Sequence, residues 1–187
     1  VQGFPALPNV QAEMDAVKIL YRGTSLIDRQ FLVPAVQTEL HDQQYSMVHI
    51  ASHGLVGNEA KDSYLLSYDD KITMDRLSQL IGMFQFRNTS LDLLTLSACE
   101  TAVGDDRAAL GLAGMAVKAG ARSALASLWF IDDEATSELV TEFYKQLQDP
   151  SVSKAMALQR AQLKISSEPI HDHPSYWAPF LLINNWL

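Results

Sequence analysis

The sequence predicts an α/β fold, a three-layer αβα sandwich in which a mostly parallel sheet carries helices on both faces. Three observations predict it. Short apolar runs alternate with helical patterns of about ten residues or more, the rhythm of βαβ units. Apolar residues make up 48% of the 187 residues and charged residues 19%, enough to bury a sizeable core in one globular unit. No repeat, low-complexity tract or linker interrupts the chain, so residues 1–187 read as a single domain.

Residues 7–21, LPNVQAEMDAVKILY, place Val10, Met14, Val17 and Leu20/Tyr21 at helical spacing, and Arg22-Gly23 ends the pattern. The stretch TSLI leads to a second helical pattern from Asp28 to about His41, with Phe31, Val36 and Leu40 as its apolar residues. Asp28 offers an N-cap, whereas Pro34 can mark the true first turn, and both starts stay open. YSMVHIA (45–51) reads as a buried strand stopped by Ser52-His53-Gly54, and the polar, Gly57-containing segment 55–63 reads as loop. Tyr64–Tyr68 is a short strand with Asp69-Asp70 as its turn, and Thr73 can cap a helix running to about Ile81.

SLDLLTLS (90–97) is a second strong strand, ending at Ala98-Cys99. Residues 108–119 carry Leu110, Leu112, Met115 and Val117 at helical spacing, with Gly111 and Gly114 permitting close packing on a sheet. RSALASLWF (122–130) reads as strand, Asp132 and Asp133 open a helix to about Leu147, and another helix covers 153–166. A last strand lies around Phe180–Ile183.

The charge excludes some functions. A formal net charge of −8 with no basic stripe repels a phosphate backbone, so nucleic acid is not an expected partner. No apolar run approaches the roughly 20 residues of a membrane span. Cys99 is the single cysteine, which rules out an internal disulfide framework and suits a reducing, cytoplasmic location. It also frees the sulfur for chemistry, although a lone Cys is often a small buried hydrophobe.

In an open α/β sheet, ligands bind beyond the carboxyl ends of the strands. Here YSMVHIA runs into His53-Gly54 and SLDLLTLS runs into Cys99. If those strands are neighbours, an imidazole and a thiol emerge side by side. A Cys beside a His becomes a thiolate nucleophile, and the His can later protonate a leaving amine. The backbone N–H groups of Gly54 and Cys99 could together form an oxyanion hole. The plainer reading makes His53 and Cys99 two packed loop residues.

Five segments carry a resemblance: VHIASHG (48–54), LTLSACETAVGD (94–105), GLAGMAVKAGARSALASLW (111–129), DDEAT (132–136) and SYWAPFLL (175–182). With the LP-x₄-E pattern of Leu7, Pro8 and Glu13, they resemble, in order and over most of the chain, the CHAT family of caspase-like domains. His53 precedes Cys99 by 46 positions, which agrees with the caspase pattern of a His about 50 residues upstream of the Cys. The resemblance implies a caspase-like fold and a cysteine endopeptidase acting on a protein or peptide substrate, with His53 as general base and Cys99 as nucleophile. It also implies an upstream tetratricopeptide-type regulatory domain that gates the site. The alternative is a non-catalytic caspase-like interaction module, but degenerate members of that kind usually lack the His or the Cys, and this chain has both.

Two departures bear on these expectations. Family members typically carry a core strand just before the LP helix, and the sequence given starts too late to contain it, as a fragment of a longer protein would. Separases, whose sites resemble this one, place an acid directly after the Trp of the pocket loop. Here Phe130 follows Trp129, and the acids come later as Asp132 and Asp133. The resemblance makes Trp129, Phe130, Asp132 and Asp133 the candidate substrate pocket, with helix capping as the plainer role of the two acids and core packing that of Trp129.

Other motifs point nowhere specific. His49 and His53 lie four apart on a strand, so His49 reads as a packed residue and no metal is expected. His171 and His173 read as residues of a solvated loop, and Glu100 either tunes the thiol or is a solvated acid. No GxSxG elbow, Walker A motif or GxGxxG follows a strand, so no serine hydrolase or nucleotide site, and no cofactor, is expected.

Overall fold

A computed structural model gives the fold and describes residues 4, 6–55, 62–86, 90–97, 114, 116–117, 119–127 and 132–187. The chain opens with helix α1 (Val10–Leu20), a 3₁₀ turn (Asp28–Gln30) and helix α2 (Val33–Asp42). Of the two starts the sequence leaves open for α2, Pro34 prevails. It lies in the first turn, where a missing N–H costs no intrahelical bond. Asp28 instead has φ 50°, a left-handed conformation belonging to the preceding turn. The N–H of Val33 is satisfied from elsewhere, by Asp69 Oδ1 at 2.9 Å.

Strand β1 (Met47–Ile50) follows, then three short strands, β2 (Gly54–Leu55), β3 (Tyr64–Leu66) and β4 (Lys71–Thr73). Helix α3 (Met74–Phe86) is capped by the Thr73 hydroxyl, which accepts from the Arg76 N–H at 3.3 Å. This helix runs past Ile81 because Leu77, Leu80, Ile81 and Phe84 continue one buried stripe. The rest comprises β5 (Leu93–Leu96), β6 (Ser123–Ser127), α4 (Asp133–Gln146), α5 (Lys154–Ser166), a 3₁₀ turn (Pro174–Tyr176) and β7 (Phe180–Asn184). Most of the helix expected over 108–119 lies outside the described residues, although Gly114, Ala116 and Val117 are helical. Gly120, at φ 116°, then makes the turn into β6, a conformation that favours glycine.

The main sheet has the order β1-β5-β6-β7. β1, β5 and β6 run parallel, with Ile50 opposite Leu96 and Leu96 opposite Ala126, while β7 lies antiparallel against β6. Alternation along the strands divides the core in two. Val48, Ile50, Leu94, Leu96, Ala124 and Ala126 face α2 and α3, whereas Met47, Leu93 and Leu125 face α4 and α5, joined by Val17 and Leu20 of α1. These are the layers of the sandwich. Strands covered on both sides lose their polar alternation, which is why LLTL and SALAS read as continuous buried runs. Each fully buried leucine there contributes about 1.5–3 kcal/mol relative to exposure. β2, β3 and β4 form a separate antiparallel sheet. No described helix is long and apolar enough to cross a membrane.

Candidate active site

Because β1, β5 and β6 are parallel, their carboxyl ends share one edge of the sheet. His53 follows β1 by three positions, and the small sheet fixes its backbone. The Leu66 N–H donates to the His53 carbonyl at 2.8 Å, and the Ser52 hydroxyl donates to the Leu66 carbonyl at 2.5 Å. Bonded and non-bonded pairs alternate along an antiparallel ladder. His53–Leu66 is a bonded pair, so Gly54–Leu65 is not, and the Gly54 N–H points away from β3. The His53 side chain is 8% exposed, with the Phe4 ring centroid 5.1 Å from its own. A cavity of about 490 Å³ opens against His53, walled by Phe4, Pro8, Ile27, Phe31 and Tyr68. A second, of about 400 Å³, follows the edge of β1 that no described strand covers.

The condition that the strands leading to His53 and Cys99 be neighbours is met: β1 and β5 pair directly. The Ser97 N–H donates to the Ile50 carbonyl at 3.0 Å, extending the pairing to the last described residue before Cys99. Cys99, Glu100, Trp129 and Phe130 lie outside the described residues. Asp132 is the N-cap of α4, its carboxylate accepting from the N–H groups of Glu134 at 3.0 Å and Ala135 at 3.2 Å. Asp133 Oδ2 accepts from the Asn9 N–H at 2.7 Å, tying α4 to the start of α1.

Beneath the strand ends lies a buried polar group that the sequence reading missed. Glu13 of α1 is 1% exposed and Ser97 is fully buried. Glu13 Oε1 lies 2.7 Å from His49 Nε2 and 2.7 Å from Ser97 Oγ, and those two atoms are 2.9 Å apart. A carboxylate has no proton to give, so it accepts from both neighbours. The His49 ring stacks on Tyr144 at 5.5 Å, and the Tyr144 hydroxyl donates to Thr95 Oγ1 at 2.8 Å. Burial pushes the Tyr144 phenol well above its ordinary range, so it remains a donor. His49 is packed, as expected, but it is also one corner of this network. One signal could have found it: Glu13 sits three residues after Val10 and four before Val17, on the apolar stripe of α1.

His171 corrects an expectation. It is buried at 6% exposure, not solvated, with Glu138 of α4, Glu168 and the Tyr176 ring packed round it. Its Nδ1 lies 3.4 Å from Glu138 Oε2 and 3.6 Å from Glu168 Oε2. Desolvation and the charge of Glu168 push the Glu138 carboxyl above its ordinary value. Ligand atoms of Glu138, Glu168 and His171 lie within 4.8 Å of one another, as do those of Asp132, Glu134 and His171, spacings that could hold one cation. His173 is exposed, its Nδ1 accepting from the Ser175 N–H at 3.2 Å.

A family model described as the CHAT domain matches residues 2–185, nearly the whole chain. No curated protein matches it.

Proposed function

The chain belongs to the CHAT domain family, which is caspase-like and peptidase-related, and on that premise we propose that it is a cysteine endopeptidase domain in which Cys99 is the nucleophile and His53 its acid–base partner. The observation that carries the reading is the parallel pairing of β1 with β5. It brings the chain leading to His53 and the chain leading to Cys99 out at one edge of the sheet, side by side.

The Cys99 thiolate attacks the carbonyl carbon of the scissile peptide bond. The resulting oxyanion accepts hydrogen bonds from the backbone N–H groups of Gly54 and Cys99. The Gly54 N–H is directed away from β3, which supports that role. As the C–N bond breaks, His53 gives its proton to the leaving amine, and a thioester forms at Cys99. His53 then takes a proton from water, whose oxygen attacks the thioester. The acid product leaves and the thiolate returns.

The substrate is a protein or peptide lying across the strand ends, and the segment after β6, with Trp129, Phe130, Asp132 and Asp133, forms the pocket for the residue before the scissile bond. An upstream tetratricopeptide-type domain gates the site, in the cytoplasm. Thiol reactivity tests the catalytic pair. In the intact protein, Cys99 should alkylate with iodoacetamide well below the pH that an ordinary thiol, near 8.5, requires, and His53→Ala should remove that advantage. Ordinary thiol behaviour in the wild type would make the domain a non-catalytic module.

A further inference from the structure

The proposed mechanism has no use for Glu13, His49 and Ser97, yet burying an ionisable carboxylate is costly unless its partners satisfy it. Glu13 is on the first helix, His49 on β1 four positions before His53, and Ser97 two positions before Cys99. One carboxylate oxygen holds both strands, at 2.7 Å each. We propose that Glu13 is a positioning residue: through His49 and Ser97 it fixes the relative height of the two strand ends that carry the catalytic pair.

The register printed by the backbone does not do this alone. Parallel strands are bound by hydrogen bonds along their length, and among the described residues the last backbone bond between β1 and β5 is that from Ser97 N–H to Ile50 carbonyl. Past it β1 leads into the small sheet, and Ser97 is the last described residue before Cys99. Glu13 acts at that point, from a helix whose Val17 and Leu20, on the same stripe, join the core of α4 and α5. Tyr144 backs the arrangement by stacking on the His49 ring. Side chains held by packed and hydrogen-bonded neighbours keep reacting groups within the tolerance that catalysis requires, and a displacement of about 1 Å can lower a rate by about 100-fold.

The proposal rests on the peptidase reading, so the experiment separates the two. In the intact protein, Glu13→Gln keeps the side chain's size but removes its charge, which weakens the two hydrogen bonds that its one oxygen accepts. Ser97→Ala removes the tie to β5 and leaves that to His49. Two readouts are taken: kcat and KM on a cleaved substrate, and the pH profile of Cys99 alkylation, which needs no substrate. Glu13→Gln should lower kcat by about tenfold or more with KM within about threefold, as expected of misplaced reacting groups. Its Cys99 profile should shift toward that of His53→Ala. Ser97→Ala should move both readouts the same way by less.

Values of kcat within about twofold of wild type in both variants, with unchanged alkylation profiles, overturn the proposal. A fall in kcat that merely matches the fraction unfolded, with an unchanged profile, overturns it too. If Glu13→Gln does not fold, Ser97→Ala decides alone, since losing one hydroxyl oxygen barely changes the packing. A wild type with an activated thiol but no hydrolysis sinks the peptidase reading and leaves the positioning role to the alkylation profiles. A wild type with an ordinary thiol sinks both.

Discussion

Oε1 of Glu13 stands 2.7 Å from Nε2 of His49, so a carboxylate on the first helix is joined to an imidazole on the first strand inside the core. Both side chains are almost wholly buried. Removing one partner of such a pair leaves the other desolvated and unsatisfied, whereas the intact pair itself adds little. Glu13→Ala should therefore destabilise the fold by about 3 kcal/mol. Urea unfolding followed by circular dichroism would show this, and a loss below about 1 kcal/mol would mean that water reaches the site in the variant.

A second expectation concerns acid. The N–H of Val33 holds the Asp69 carboxylate, with help from the Ser67 hydroxyl at 2.9 Å, and together they keep that carboxyl below its ordinary value of 3.8. A depressed carboxyl contributes stability that is fully present above the unfolded-state pKa and is lost as pH falls through the folded one. The wild type should thus lose melting temperature below about pH 4 more steeply than Asp69→Asn. Parallel slopes for the two proteins would show that the cap on α2 is indifferent to charge.

The elements that the sequence revealed best are the ones whose burial is complete. LLTL and SALAS are buried through their length because helices cover both faces, and their lack of charged or large polar residues marks them as central strands. The helix starts at Asp132 and Ser153 were equally legible, since capping is a local interaction between a side chain and the next N–H groups. The cap on α2 was not, because Asp69 comes from 36 positions away. Strands β2 and β4 were too short to show a period. The link from Glu13 to Ser97 spans 84 positions, and no local pattern announces such a partner. His53 stands out in the sequence by its place after a strong strand, whereas His171 was misjudged because its cover includes Glu138 from the distant helix α4.

Asp132 gives a third test, of both stability and substrate choice. Its carboxylate caps α4, so Asp132→Ala should cost about 1 kcal/mol in chemical denaturation. The proposed pocket adds that the residue before the scissile bond is Lys or Arg, because a carboxylate lining the pocket attracts a cation. Profiling the activated enzyme with a peptide library should show that preference weakened in Asp132→Ala or Asp133→Ala. An apolar preference unchanged by either substitution would show that the two acids serve only the helix and its tie to Asn9.

The central claim is that Cys99 and His53 together hydrolyse a peptide bond, and cleavage itself tests it most directly. Intact protein, with whatever signal activates it, is incubated with candidate protein substrates, and the fragments are identified by mass spectrometry. Wild type should cleave at a defined bond and accumulate a thioester at Cys99 on rapid quenching. Cys99→Ala and His53→Ala should each lower the rate by about 1,000-fold or more, as losing a member of a catalytic unit does. Cleavage at the same bond that survives both substitutions would contradict the account.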